Sequence, residues 1–192
     1  MAAKPLPSQE VLRQLLDYDP EAGVLRWKER PVGMFQPSSY GGKSVRSAEW
    51  SAAKWNTRNA GRVAFTADSG RGYRQGAIFG RTHKAHRVIW VLVYGEWPPE
   101  EIDHINGDRS DNRLGNLRLA TPSQNAWNKG IYSNNTSGFK GVSWDTGTQK
   151  WAANIRVNGR QRRIGVFETA EAAHAAYRDE AANLHGEFAR TG

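Results

Sequence analysis

Asp103 and His104 sit side by side, with Asn116 13 residues and Asn125 22 residues after Asp103. A carboxylate, an imidazole and amide oxygens are groups that can converge on one metal ion. Asn106-Gly107, just after the pair, is a turn signal. Asn116 precedes a short alternating run, Leu117-Arg118-Leu119. Thr121, Pro122 and Gln124 then fit the N-cap, first and third positions of a helix, a capping box of the form T-x-x-Q that puts Asn125 in the fourth position. The stretch reads as a hairpin feeding a helix. The strand bearing Asp103 and His104 pairs with the Leu117 strand, and the helix packs across both.

Composition narrows what surrounds this stretch. The chain has 192 residues, 24% of them charged and 38% hydrophobic, which suits a globular protein of one large or two small domains. It has no cysteine, so disulfides, thiolate zinc sites and cysteine nucleophiles are excluded. No apolar run approaches the roughly 18 residues a membrane span needs, and the N-terminus has no apolar signal core. The expectation is an intracellular, cytoplasmic protein with no membrane partner. The net charge of +8 favours a polyanionic partner, nucleic acid first.

Several elements must position the stretch. Ser8 caps an expected helix over residues 9–18, with Val11, Leu12, Leu15 and Leu16 on one face. A turn at residues 19–23 leads to an expected strand over residues 24–28. Residues 29–61 are broken by proline and glycine, with a short helix expected around residues 48–55 and a small core of Trp27, Trp50 and Trp55. Strands are expected over residues 62–66, 73–79 and 82–86. Residues 85–94 (AHRVIWVLVY) are apolar enough for either helix or strand, and Gly95 with Pro98-Pro99 favours a helix. Residues 127–137 read as a linker, rich in asparagine, glycine and serine.

Beyond residue 137 the pattern is a basic sheet. Strands are expected over residues 140–144, 151–157 and 160–167, with a hairpin turn at Asn158-Gly159. Trp151, Ala153, Ile155 and Val157 alternate onto one face, and Ala152, Asn154 and Arg156 onto the other. Gln161 and Arg163 lie away from the face of Ile164. Thr169 caps an alanine-rich helix over residues 170–185, whose small residues allow close packing on the apolar face. The free face is left polar and basic, a surface suited to the DNA major groove.

The residues Asp103-His104, Asn116 in N-L-R, Asn125 in S-Q-N and the upstream His86-Arg87 together resemble the HNH nuclease family, the ββα-metal endonucleases, in its phage-type homing-endonuclease branch. The segment DYDPEAGVLRWK, residues 17–28, looks like the leader that commonly precedes this module in phage proteins. The resemblance implies hydrolysis of DNA phosphodiesters. It makes Asp103 and the amide oxygen of Asn125 hard ligands for Mg2+ (or Mn2+). It makes His104 the general base for water, since an imidazole has an ordinary pKa near ~6.5. Asn116 then braces the metal loop or orients His104, and His86 with Arg87 supports the site or a phosphate. One such site cuts one strand, so a nick is the minimal product; monomer and homodimer both stay open.

Phe139-Lys140-Gly141-Val142, Trp151 to Arg156 (WAANIR), Ile164 to Phe167 (IGVF) and Thr169 to Tyr177 (TAEAAHAAY) resemble the plant ethylene-response-factor (Apetala-two) DNA-binding domain. That family reads double-stranded DNA from the outer face of its sheet. The resemblance carries the role to Lys140, Arg156 and Arg163, with Ser143, Asn154 and Gln161 beside them. This chain has fewer arginines on the first strand and Arg163 where a tryptophan is usual, so the plant target sequence does not transfer.

The expected fold class is therefore α+β. A strand-rich N-terminal region (residues 1–80) precedes a ββα-metal (HNH) nuclease module (81–130). A linker (131–137) leads to a three-stranded antiparallel sheet plus one helix (138–192). The alternative is a non-catalytic, sequence-specific DNA-binding regulator with an inactive nuclease module. His83, His174 and His185 are expected at the surface or in packing, and Asn106, Asp108 and Asn112 in turns.

Overall fold

The computed structural model describes residues 5–39, 45–157 and 159–192. The fold is α+β, as expected. Its elements in order are α1 (Gln9–Leu15), β1 (Leu16–Asp19), β2 (Val24–Trp27), a 3-10 turn (Val32–Met34), β3 (Ser38–Ser39), β4 (Val45–Arg46), α2 (Ala48–Asn59), β5 (Ala67–Asp68), β6 (Arg74–Ile78), β7 (Arg81–Lys84), α3 (Ala85–Tyr94), β8 (Glu101–His104), a 3-10 turn (Leu114–Asn116), β9 (Leu117–Ala120), α4 (Pro122–Trp127), β10 (Val142–Asp145), β11 (Lys150–Val157), β12 (Arg160–Phe167), α5 (Ala170–His185) and a 3-10 turn (Gly186–Phe188). The chain forms two compact units. One runs to Pro99 and includes Asp108–Leu117; the other holds Glu100–Gly107 and Arg118–Gly192. Among the described residues no helix is long and apolar enough to cross a membrane.

In the first unit, Ser8 caps α1 by accepting from the Val11 N–H. The helix ends at Leu15, short of the expected residue 18. Leu16 turns to φ −138°, ψ 140° and starts β1, whose Leu16 and Tyr18 face Trp27 and Leu25 of β2. Pairing two half-buried strands here outweighs three more helical residues. The strand expected over residues 62–66 is absent, reduced to a bridge between Arg26 and Val63. Phe65 has φ +58°, which an extended strand cannot accommodate, and its ring lies where a side chain on Gly76 would be. Trp27 packs on Trp55 and Phe65, and Phe35 on Trp55. Trp50 is not in this core: it is 45% exposed, with Arg46 and Lys54 over its ring. Helix α3 is helical despite its β-branched residues, because Val88 to Leu92 are buried all round. Gly95, at φ +95°, stops it.

In the second unit β8 and β9 form a two-stranded sheet, and α4 packs on β8. Thr121 and Gln124 close the capping box in both directions. Strands β10, β11 and β12 form an antiparallel sheet in that order. Asn158 of the expected Asn158-Gly159 turn lies outside the described residues. Helix α5 backs the sheet: Ala173, Tyr177 and Ala181 meet Val142, Ala153 and Ile155 in one core. A bulge between Ala153 and Asn154 shifts the register, yet Trp151, Val157 and Ile164 stay on this core and Arg156 stays exposed.

Candidate functional site

The second unit places Asp103 and His104 at the end of β8, 4% and 3% exposed. Glu101 and Asp103 are two apart on the strand and share a face. Asn125 and Asn128 are three apart in α4 and its cap and share a face too. The two faces meet rung by rung. Asn125 donates its amide hydrogen to the Glu101 carboxylate. Asn128 donates to both Asp103 oxygens at 3.0 Å and to the His104 carbonyl at 2.8 Å. The same carbonyl accepts from the Gly107 N–H at 2.8 Å, which closes the Asn106-Gly107 turn.

A buried carboxylate needs a counter-charge. Arg118 on β9 supplies it: its Nε and Nη2 lie 3.0 and 2.9 Å from Asp103 Oδ2. Three residues to which the sequence motifs assign no role therefore shape the site. The sequence alone puts Asn128 in the linker at residues 127–137, whereas Trp127 ends α4 and Asn128 caps it. The N-x-x-N spacing on a helix was the signal for Asn128. The alternation of Arg118 with Leu117 and Leu119 was the signal for Arg118. Glu101 carried none.

The donors fit a hard divalent cation held partly by water and phosphate. Asp103 offers carboxylate oxygens, and Asn125 keeps its carbonyl oxygen outside its bond to Glu101. An all-protein cage does not fit: among the described residues no group of three or more His, Cys, Asp or Glu is placed to hold a metal.

Asn116, His86 and Arg87 belong to the first unit. Asn116 is buried and donates to the Asp111 carbonyl at 2.8 Å, bracing the loop 111–116. His86, also buried, lies on the Tyr73 ring, and Arg87 donates to the Pro98 carbonyl. The β1–β2 hairpin supports the same loop. The Tyr18 hydroxyl donates to the Asn112 carbonyl at 2.8 Å; burial, then the Asp19 charge, pushes Tyr18 up to about 12. The Leu114 N–H donates to the Pro20 carbonyl. Gly23, at φ +68°, lets the loop approach: a β-carbon there would lie 2.4 Å from the Arg113 nitrogen. Gly23→Ala is expected to cost at least about 1–2 kcal/mol, from the left-handed backbone alone. Urea unfolding measures it, and an unchanged midpoint would contradict this packing.

On the outer face of the C-terminal sheet, Ser143, Asn154, Arg156 and Gln161 line one shallow depression of about 250 Å³. Arg163 stands across from Asn154 and pairs with Asp145. The Thr148 N–H, with Arg163, holds that carboxyl below the usual range. Lys140, which the resemblance also assigns to DNA, is half-buried. Its ammonium donates to the Trp127 and Arg190 carbonyls. Burial, aided by the Arg190 charge, pushes it down to about 8. His185 packs as expected, stacked on Trp127 at 4.1 Å.

Comparison with known proteins agrees with this geometry. An HNH endonuclease family model matches residues 83–127, which span β8, β9 and α4. The chain is 35% identical to Protein 3.8 of Escherichia phage T7 over 121 residues, 62% of this chain and 97% of that protein. It is 37% identical over 106 residues to an uncharacterized HNH endonuclease of Acanthamoeba polyphaga mimivirus, spanning 54% of each. No solved structure matches it. A strand ending in Asp-His, a second strand and a helix carrying Asn125 all fall inside the span the family model matches, so residues 83–127 form an HNH endonuclease domain in a chain related to Protein 3.8.

Proposed function

We propose that the protein is a site-directed endonuclease of homing type, which hydrolyses phosphodiesters of double-stranded DNA with Mg2+ or Mn2+. The observation that carries this reading is the buried Asp103-His104 pair, held from α4 by Asn128 and from β9 by Arg118. Asp103 and Asn125 would hold the cation. When bound, it would offset phosphate charge and stabilise the departing 3′ oxygen, leaving a 5′ phosphate. His104 takes the proton of the attacking water. Asn128 fixes the His104 backbone, and Asn116 braces the loop that follows. His86 and Arg87 are assigned a supporting role.

The organisation proposed is the one read from the sequence: residues 1–80, the nuclease module 81–130, the linker 131–137 and a DNA-reading domain 138–192. An ethylene-response-factor-like role for the last is supported by its three-stranded sheet, single backing helix and polar outer face. Ser143, Asn154, Arg156, Gln161 and Arg163 are the proposed contacts.

Purified protein with supercoiled plasmid and Mg2+ tests the whole. Nicked circles are expected, and duplex binding without cleavage in any divalent metal would favour the regulator instead. Arg156→Ala is expected to weaken duplex binding and to lower the slope of log K against log salt by about 0.9, one phosphate contact's worth. Unchanged affinity at low salt would remove Arg156 from the interface.

A further inference from the structure

The 3-10 turn that follows α5 comes 69 residues after Arg118, yet it touches the nuclease motif. Arg118 is held on three sides. Nε and Nη2 face Asp103, Nη1 donates to the Glu187 carbonyl at 2.9 Å, and the guanidinium lies 3.7 Å from the centre of the Phe188 ring. Phe188 is itself buried. A guanidinium stacked on an aromatic face loses rotamer freedom and keeps its fork in one plane. That plane sets the direction of the hydrogen bonds reaching Asp103.

A second contact arrives on the other side of the pair. Arg190 Nη1 donates to the Asn106 carbonyl at 3.1 Å, in the turn just after His104. A β-carbon on Gly107 would lie 1.6 Å from that nitrogen, so the glycine is what admits the guanidinium. The Arg190 backbone is fixed in turn, its carbonyl accepting from Lys140 at 2.7 Å. Simple packing of a tail would need apolar contact alone. Here two polar contacts end on the residue that orients Asp103 and on the turn that anchors His104.

We propose that Phe188 and Arg190 are positioning residues of the nuclease site: Phe188 and the Glu187 carbonyl lock Arg118 onto Asp103, and Arg190 locks the Asn106-Gly107 turn behind His104. The claim rests on the proposed nuclease reading for its consequence and on geometry for its substance. It ties the orientation of the ligand carboxylate to the helix that backs the DNA-reading sheet.

The test uses the full chain with Phe188→Leu, Phe188→Trp and Arg190→Ala. Leucine fills much of the same space without an aromatic face; tryptophan restores the face. In Phe188→Leu and Arg190→Ala, kcat for plasmid nicking with Mg2+ is expected to fall about 10-fold with KM for the plasmid unchanged, the usual scale for residues behind a metal ligand. Phe188→Trp recovers most of the loss. Two readouts need no catalysis. Solvent exchange of the Arg118 Nε–H, identified by loss of its NMR signal in Arg118→Lys, should be slow in the parent and in Phe188→Trp and faster in Phe188→Leu. Mn2+ affinity, measured by calorimetry without DNA, should fall in Phe188→Leu and Arg190→Ala. Unchanged exchange and Mn2+ affinity in Phe188→Leu overturn the proposal, as does equal loss in the leucine and tryptophan variants. A parent protein that never nicks DNA overturns the nuclease reading instead, and the exchange and Mn2+ measurements still decide the positioning claim.

Discussion

His104→Ala is expected to slow plasmid nicking by about 10²–10⁴-fold while leaving duplex affinity within twofold of the parent, the range assigned to a positioned general base. The two observables separate because His104 lies at the end of β8 and the proposed DNA contacts lie on β10, β11 and β12. The backbone around the substitution is held independently of the imidazole. Its carbonyl accepts from Asn128 and from the Gly107 N–H, so the turn should survive loss of the ring. A cooperative melt and a circular dichroism spectrum like the parent's check that. Nicking that persists at the parental rate in both His104→Ala and Asp103→Ala would point to a contaminating nuclease. Nicking that persists in His104→Ala alone would move the base to another residue.

What the sequence made legible follows from how far apart the partners are. The capping box on α4, the Asp-His pair and the later asparagines are short-range signals, and the structure sets the pair on a strand and Asn125 on the helix beyond it. The C-terminal sheet was equally readable, since alternation along β11 separates Ile155 from Arg156 whatever else the chain does. Local signals misled where a distant partner decided. Leu16 continues the apolar pattern of α1, but β2 draws it into a strand. No local signal shows that the carbonyls of Trp127 and Arg190 take the Lys140 ammonium. Arg118 and Asn128 look like ordinary polar residues of a strand and a helix end. Only the burial of Asp103 gives them their meaning, and burial of a carboxylate is a tertiary fact. The same holds for Phe188 and Arg190, which no local pattern connects to residues 103–107.

Arg118→Met should destabilise the second unit strongly. Methionine keeps the length and apolar stem of arginine but leaves Asp103 buried with Asn128 as its hydrogen-bond donor and no counter-charge. Removing one partner of a buried pair typically costs about 3–5 kcal/mol, because the remaining charge is not resolvated. Both side chains are largely hidden, 12% and 5% exposed, so the screening that makes surface pairs weak does not apply. Asp103→Asn combined with Arg118→Met removes both charges and should recover a good part of the loss, so the double-mutant cycle gives a coupling of more than about 1 kcal/mol. A cation supplies a sharper discrimination. If Asp103 is a ligand that Arg118 holds in orientation, Arg118→Met gains less stability from millimolar Mg2+ than the parent does, since its carboxylate is no longer fixed. The double variant, with no carboxylate, should gain little. Equal Mg2+ stabilisation of parent, single and double variants would take Asp103 out of the metal site, and an Arg118→Met as stable as the parent would mean the pair contributes nothing to holding that carboxylate in place.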